Sequence, residues 1–410
     1  MRIKVSSLQK LLFCLSFFVM FFSRIELLTG NYTWNFNAVL LEGIYLIMVL
    51  LLIISKRLGR IGHLDRSVAL FFLIFFAHTI LWGKIFVNPV MSQLTASHFS
   101  SQIIFVLILF ITVIGVLELD AKEQFIKVGY YTLVFALLIQ LFTHFQEFNF
   151  SNVANIMSST ARSRANFGFG HYNTLGGACV CALLIYYIYI RENTRNMIIK
   201  MLHVVFNVLV FGMLLCSASR SSITSLGVFI FVYAYSGIDN MKISKKMKQV
   251  IKFSGTLLIV AGVFWTMLDI DLNKVLIESQ RFWIFQTAIP EYLRSGRLAF
   301  GLGYASTTAY GTGMTPYHTL WIDNAYFFHL ITTGILGFCL IILMLVILGK
   351  GLRKADLVGT NNGNIAIFAV YLYSSLFEVV AFNGAFINYI YLPLFLVVIA
   401  LSNKIQMTIH

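Results

Sequence analysis

Charged side chains are scarce in this chain. Of its 410 residues only 11% are Asp, Glu, Lys or Arg, whereas 59% are hydrophobic and the mean hydropathy is +0.84. Proline is rare as well, with four residues, so long apolar runs continue without interruption. A soluble fold of this size cannot bury so much apolar surface. The composition therefore excludes a soluble multidomain protein and predicts one that is embedded in a membrane.

Cysteine offers neither a disulfide framework nor a metal site. The cysteines are odd in number, lie inside apolar runs and lack the spacing of metal ligands: Cys14, Cys179, Cys181, Cys216 and Cys339. In such surroundings a thiol acts as a small packing group. We expect no metal and no cofactor.

What the chain does contain is a series of about twelve largely uncharged segments. Each is long enough to cross a hydrocarbon layer of roughly 30 Å as a helix. They lie near 8–23, 36–55, 67–83, 99–117, 128–146, 174–190, 201–217, 221–237, 253–269, 325–349, 365–382 and 386–402. We predict an all-α integral membrane protein in which residues 1–410 form a single polytopic domain.

The positions of the cations predict the orientation, because Lys and Arg in short loops stay on the cytoplasmic side. With both termini cytoplasmic, twenty-one of the 30 Lys and Arg fall inside. The net charge of +14 is therefore interpreted as membrane sidedness rather than nucleic-acid binding. Seven of the nine cations left outside are Arg, a bias that topology alone does not require: Arg24, Lys84, Arg162, Arg164, Arg220, Lys274, Arg281, Arg294 and Arg297.

Loop lengths favour chemistry on the outer face. A large extracytoplasmic loop, residues 270–324, separates the ninth and tenth predicted helices, and residues 147–173 form a second outer segment. A transporter built from two six-helix halves would carry its long connection inside, between the sixth and seventh spans. Here that connection, residues 191–200, is short.

Two outer segments carry candidate anion-binding groups. In Ser217–Ser222, serines surround Arg220. The several N–H donors of its guanidinium group suit phosphate oxygens. The alternative is an Arg at the membrane boundary that extends its charged end to the interface. In residues 162–177, Arg164 precedes a glycine-rich stretch with His171 and Asn173. Glycines allow the backbone to approach a ligand closely. The alternative is a helix-entry segment in which the two polar side chains satisfy backbone groups.

The large loop adds further candidates. Residues 273–289 have the apolar spacing of an amphipathic surface helix that carries Arg281, for which a local ion pair with Glu278 is the simpler interpretation. The Gly-, Thr- and Tyr-rich stretch that follows has no nucleotide fingerprint. Its Tyr304 could stack on a sugar ring, or anchor the loop at the membrane as interfacial aromatics do.

Candidate proton acceptors gather near the end of this loop. Asp323 and Asn324 lead directly into a span, where an N-capping role is the alternative to a catalytic one. His318 precedes them, and Glu291 and His329 are further outer candidates. Within the bilayer an ionisable residue is either paired or functional, and the sequence leaves both open for its carboxylates, Glu42 and Glu378.

Taken together, three stretches resemble the bacterial O-antigen ligase and polysaccharide polymerase superfamily. They are residues 168–176 (GFGHYNTLG), residues 219–222 (SRSS) and the loop from Arg281 through 300–304 (FGLGY) and 323–326 (DNAY) to 333–337 (TGILG). The resemblance covers most of the chain in topology but only about residues 165–340 in motifs. The ligase branch usually reads His-Asn where this chain has Asp323 and Asn324, and an Asp there is more like the polymerase branch.

The resemblance implies a metal-independent membrane glycosyltransferase in the bacterial cytoplasmic (inner) membrane. Arg220 and Arg281 match the essential outer arginines of the family, with Arg164 as a third. Asp323 or His318 would orient or deprotonate the acceptor hydroxyl, while His171, Asn173, Tyr304 and Asn324 would contact substrate.

We therefore predict a polymerase that joins repeat units of an O-antigen, capsule or exopolysaccharide on undecaprenyl diphosphate. A lipid-linked oligosaccharide, membrane lipids, and a flippase and chain-length regulator of the same pathway are the expected partners. The alternatives are a ligase that transfers finished glycan to lipid or protein and a transporter of lipid-linked sugar.

Overall fold

A computed structural model describes most of the chain from residue 66 onward. The ranges are 66–119, 122–149, 164–169, 171–191, 194, 196–238, 241, 243–254, 284–305, 322–355, 361–382 and 391–401, together with residues 8, 11, 15, 43 and 47. Regular structure in these ranges is helical, and none of these residues forms a strand. A helix satisfies its own backbone N–H and C=O groups, which is what an apolar solvent requires. The prediction of an all-α fold is confirmed for this part of the chain.

Ten α-helices have both ends within the described ranges. They are α1 (Arg66–Ile80), α2 (Ser92–Leu119), α3 (Lys122–Thr143), α4 (Tyr172–Ile185), α5 (Met197–Cys216), α6 (Arg220–Gly237), α7 (Ile289–Arg294), α8 (Ala325–Lys354), α9 (Asn361–Ser374) and α10 (Tyr391–Leu401). Helix α1 continues as a π turn over Leu81–Ile85, and α4 continues as one over Tyr186–Ile190. Residues 245–254 are helical as well.

Six described segments are long and apolar enough to cross a membrane, as expected of a membrane protein. They are Arg66–Ile85, Pro89–Leu117, Lys122–Thr143, Tyr172–Ile190, Met197–Cys216 and Ala325–Lys354. Each overlaps a span predicted from the sequence. The predicted spans near 8–23, 36–55 and 253–269 lie outside the described residues apart from a few positions. The total of twelve spans and the orientation stay predictions.

Helix α10 lies at the centre of the bundle. It packs against α2, α4, α8 and α9, and residues 392–401 are all buried. Helix α5 lies at the periphery, where Ile198, Met201, Val205 and Val208 are exposed. An apolar face that no other described helix covers suits contact with lipid tails.

The span predicted over 365–382 is shorter than expected. Helix α9 ends at Ser374 and residues 375–382 form an irregular turn, in which the Phe377 N–H donates to the Ser374 carbonyl at 3.0 Å. The apolar run gave no sign of this end. The turn holds Glu378, whose carboxylate is bonded to a neighbouring helix as described below. At this point the chain makes a polar contact instead of continuing as a helix.

Helix α8 is broken at Gly334, which has φ +69° and ψ −174°. Residues 297–305 of the large loop, which we call the loop strap, fill the break with four backbone hydrogen bonds. The N–H groups of Leu302 and Gly303 donate to the Ile331 and Thr332 carbonyls at 2.8 and 3.2 Å. Those of Ile335 and Leu336 donate to the carbonyls of Leu298 and Ala299 at 3.0 and 3.2 Å. The strap thus satisfies backbone groups that the break would leave unpaired.

Side chains between α1 and α2 hold the loop strap in place. The Trp82 indole N–H donates to the Phe300 carbonyl at 2.9 Å, and Asn88 Nδ2 donates to the Leu302 carbonyl. Arg297 Nε and Nη2 donate to the carbonyls of Gly301 and Phe86 at 3.0 and 3.1 Å. Arg297, one of the arginines predicted to lie outside, thus has a structural role.

Glycine is required where the strap meets the break. Gly301 has φ +83°, and a Cβ there would lie 2.3 Å from the Thr332 carbonyl oxygen. We expect Gly301→Ala to destabilise the protein by about 2 kcal/mol or more, because it adds backbone strain and forces the strap away from α8. The measurement is the midpoint of thermal unfolding in detergent.

The matched control is Gly227→Ala in α6, where a Cβ would meet no atom within 4 Å. This substitution should leave the unfolding midpoint unchanged or raise it, since alanine favours helix by up to about 1 kcal/mol. A Gly301→Ala protein that unfolds at the wild-type temperature would contradict the strap's role.

Candidate functional site

The Asn173 side chain joins two of the predicted motifs and a third element. It lies in the first turn of α4, where His171 is the N-cap and its Nδ1 accepts the Asn173 backbone N–H at 3.2 Å. The Asn173 amide oxygen accepts a hydrogen bond from Ser219 Oγ at 2.9 Å. Its Nδ2 donates to Glu378 Oε1 at 2.5 Å. One amide therefore connects α4, the start of α6 and the turn after α9.

The start of α6 is shaped by its serines. Ala218 has φ +47°, an uncommon conformation for a residue with a Cβ, and it turns the chain sharply between α5 and α6. Ser219 is the N-cap of α6, but its hydroxyl makes no capping bond; it donates to Asn173 and lies 3.0 Å from Ser222 Oγ. Arg220, the first residue of α6, is exposed beside this network.

Close packing between α4 and α6 depends on Gly176. A Cβ at this position would lie 2.5 Å from Ser222 Oγ and 3.0 Å from Ser219 Cβ. The sequence suggested that this glycine allows a ligand to approach the backbone. The structure shows that α6 makes the close approach instead, which brings the serine hydroxyls to Asn173.

A tight turn places Arg164 beside the start of α4. Glu147 Oε2 accepts the backbone N–H groups of Asn166 and Phe167 at 2.9 and 2.8 Å, and the Ala165 N–H donates to the Cys216 carbonyl at 3.1 Å. Gly168 has φ +74°, and a Cβ there would meet the His144 ring at 2.7 Å. The glycine and the carboxylate together shape the turn over residues 164–169.

Hydrogen bonds bring the segments that carry Arg164 and Arg220 together, because the Ala165 N–H donates to the Cys216 carbonyl and Ser219, next to Arg220, donates to Asn173. The Arg164 guanidinium carbon lies 3.9 Å from the centre of the Tyr172 ring, a cation–π contact. Burial lowers the pKa of Arg164, Tyr172 opposes the shift, and the positive charge of Arg220 lowers the pKa further. Burial and the Arg164 charge also lower the pKa of His171, which favours its neutral form. The site therefore concentrates positive charge on arginine.

The start of α8 lies against the turn that holds Glu378. Asn324 caps α8 by accepting the Phe327 N–H at 3.0 Å, and its Nδ2 donates to the Leu376 carbonyl at 2.9 Å. The Ala325 N–H donates to the Ser375 carbonyl at 2.8 Å. The N-capping alternative is thus confirmed for Asn324. Asp323 is half-buried next to it, near the same turn.

A small cavity opens at the centre of these elements. Its volume is about 40 Å³, room for roughly one water molecule. Polar groups from three helices and the turn line it: Asn173, Ser221, Ser222, Ser225, Ser374 and Glu378. Gly177, Val180, Val380 and Leu392 complete the wall. A hydroxyl-sized group can occupy this space next to a carboxylate.

Tyr304 does not line this cavity. It is 1% exposed and packs with its ring centre 4.4 Å from that of His98 and 5.6 Å from that of His78. Its ring is covered in this arrangement and is not open to a sugar. Two other predicted site residues, Arg281 and His318, lie outside the described residues.

Around Tyr304 the structure reveals a histidine cluster formed by His78, His98 and His329. The His78 and His329 ring centres are 6.1 Å apart, and His329 Nε2 lies 2.7 Å from the Ala381 carbonyl. Both ring nitrogens of His78 and of His98, His329 Nδ1 and the Tyr304 hydroxyl have no hydrogen-bond partner among the described residues. The part of the chain that the structure describes holds no group of His, Cys, Asp or Glu suited to a metal ion.

Sequence reasoning missed two features of this region. The pairing of Glu378 with Asn173 joins residues on different helices, so no local pattern announces it; the only signal was a carboxylate in an apolar run. Of the histidine cluster only His329 was considered, because His78 and His98 lie singly in separate spans. Spacing along one helix does not show which spans will meet.

Comparisons with known proteins do not extend the resemblance seen in the sequence. No protein-family model matches the chain, and no curated protein matches it.

Glu147 is expected to hold the turn that carries Arg164. We predict that Glu147→Ala lowers the free energy of unfolding by about 1–3 kcal/mol, because it leaves two backbone N–H groups without their acceptor. Glu147→Gln retains an acceptor oxygen and should lose less. Thermal unfolding of both variants in detergent tests this order, and equal midpoints for Glu147→Ala and the wild type would contradict it.

Proposed function

We propose that this protein is a polysaccharide repeat-unit polymerase of the bacterial inner membrane. It would join oligosaccharide repeats carried on undecaprenyl diphosphate at the outer face, in the manner implied by the resemblance to the O-antigen ligase and polymerase superfamily. The observation that carries the proposal is that Arg164 and Arg220 lie on segments held together by hydrogen bonds: the Ala165 N–H donates to the Cys216 carbonyl at 3.1 Å, and Ser219 Oγ donates to Asn173 at 2.9 Å. Two like charges gathered beside a polar cavity suit an anion with several oxygens.

The chemistry of a lipid-linked donor explains why arginines would be needed. When an acceptor hydroxyl attacks the anomeric carbon, the bond from that carbon to the diphosphate breaks and negative charge develops on the departing group. Guanidinium groups that are already positioned stabilise this charge in the transition state. Such a donor carries its own activation, so no nucleotide is required outside the cytoplasmic membrane.

The distribution of charge along the helices supports an outer-face site. The site lies at the starts of α4, α6 and α8 and at the ends of α3 and α5. The opposite ends of these helices carry cations, which include Lys122 and Lys127 of α3, Lys200 of α5 and Arg353 of α8. Cations mark the cytoplasmic side, so the site end would face outward. This orientation agrees with the predicted topology of twelve spans and cytoplasmic termini, and that topology is part of the proposal.

A deletion strain tests the proposed reaction. Without this protein, lipid-linked material should stop at one repeat, and the wild-type gene should restore long chains. Long chains stranded on the carrier lipid would instead indicate a ligase, and repeats that accumulate on the inner leaflet would indicate a transporter. Either result would contradict a polymerase.

Arg220 is expected to be required for chain extension. Arg220→Ala should lower the rate of polymerisation by about 10²-fold or more, the usual cost of removing a transition-state donor. Arg220→Lys keeps the charge but loses the two-pronged geometry, so its rate should lie between those of the wild type and Arg220→Ala. The length distribution of lipid-linked glycan in complemented deletion strains measures this.

The matched control is Arg353→Ala, at the opposite end of α8, where the side chain is exposed. It should leave chain length unchanged at equal protein abundance. Full-length chains from Arg220→Ala would remove Arg220 from the proposed mechanism.

A further inference from the structure

We infer that Glu378 is the general base of this site and that Asn173 positions it. This inference rests on the proposed function, since it names the group that takes the proton from the acceptor hydroxyl. Asp323 and His318 were the bases suggested by the sequence. The geometry points to Glu378 because it lines the cavity and its carboxylate is oriented by a hydrogen bond from Asn173, which lines the same cavity.

The carboxylate of Glu378 is held in a defined direction. It projects from the turn after α9, whose backbone is fixed by the Glu378 N–H donating to the Ser374 carbonyl at 3.0 Å. Its Oε1 accepts from Asn173 Nδ2 at 2.5 Å, and the other end of that amide accepts from Ser219. The amide cannot rotate without losing both bonds. The Asn173 amide therefore fixes the direction of the carboxylate.

The cavity beside Glu378 accommodates a hydroxyl group. Its volume of about 40 Å³ suits one small polar group, and serine hydroxyls from α6 and α9 line it opposite apolar side chains. Gly177 presents no side chain on the α4 wall. A hydroxyl placed there is within hydrogen-bond reach of the carboxylate, which is the geometry that a general base needs.

The position of Glu378 also distinguishes it from Asp323. Asp323 lies before the first turn of α8 and is not among the residues that line the cavity. An ionisable side chain within a membrane bundle is costly, and such residues are retained where they carry out a function. Asp323 therefore lies outside the cavity wall, whereas Glu378 lines the cavity and can receive the proton directly.

The proposed step balances as follows. The acceptor hydroxyl oxygen forms a bond to the anomeric carbon, and the bond from that carbon to the diphosphate oxygen breaks. The electron pair of the broken bond leaves with the diphosphate beside Arg164 and Arg220. The hydroxyl proton passes to Glu378, which returns it to solvent before the next cycle.

The decisive variant is Glu378→Gln. Glutamine keeps an oxygen that accepts from Asn173, so the hydrogen-bond network and the fold are retained, but its amide cannot take a proton. We expect kcat for chain extension to fall by about 10²- to 10⁴-fold with little change in KM for the lipid-linked repeat. Glu378→Asp should retain part of the activity. Purified protein in lipid nanodiscs, supplied with single lipid-linked repeats, gives both constants.

A chemical-rescue experiment separates catalysis from structure. In Glu378→Ala, added formate can enter the enlarged cavity and act as the missing base, so it should restore part of the rate. A merely structural role predicts no rescue. Glu123→Gln serves as the matched control, because Glu123 is exposed and forms a local ion pair with Lys127 at 3.9 Å.

The outcomes distinguish this inference from the proposed function. In one outcome the wild type extends chains, Arg220→Ala does not, and Glu378→Gln works at the wild-type rate. Glu378 is then not the base, and the proposed polymerase function is retained. If the wild type itself does not extend lipid-linked repeats, the proposed function fails and the inference fails with it. If Glu378→Ala loses activity that Glu378→Gln largely keeps, and formate does not rescue Glu378→Ala, Glu378 has a structural role only and the inference is overturned.

Discussion

The absence of water inside a bilayer constrains every part of this protein. A backbone N–H or C=O that finds no partner in hydrocarbon costs several kcal/mol, so apolar chain folds as helix wherever nothing else can bond it. Irregular backbone is tolerated only where other parts of the protein satisfy it. Departures from helix in the described chain include the turn before α4, the Ala218 turn, the break at Gly334 and the turn after α9. All of these except the break at Gly334 meet around Asn173.

The amide of Asn173 explains how those irregular segments form one site. A side-chain amide has a donor and an acceptor in fixed geometry, so it can bind a hydroxyl on one side and a carboxylate on the other. Here it binds Ser219 and Glu378. Glu147 performs the corresponding task for the turn that carries Arg164. Asn173 thus fixes the direction of the Glu378 carboxylate, and Glu147 holds the turn that carries Arg164.

Hydrophobic runs were sufficient to predict the helical class and the approximate positions of the described spans. Helix ends were predicted less well, because the end of α9 depends on a hydrogen bond between Glu378 and a distant helix. The motifs around Asn173 and Ser219 were recognisable, since their Gly and Ser residues serve local turns. Their contact with Glu378 was not recognisable, because it arises from packing of α6 against both α4 and α9. Tyr304 was expected at a surface, yet it is buried, because its segment packs into the break of α8 at Gly334.

The central claim is that this site extends glycan on a lipid diphosphate. The most direct test uses the purified wild-type protein in nanodiscs with single repeats isolated from the deletion strain and no other enzyme. The account predicts lipid-linked products that increase in length by whole repeats. A single repeat that remains unextended, or that is transferred only to an added acceptor that is not lipid-linked, would contradict it.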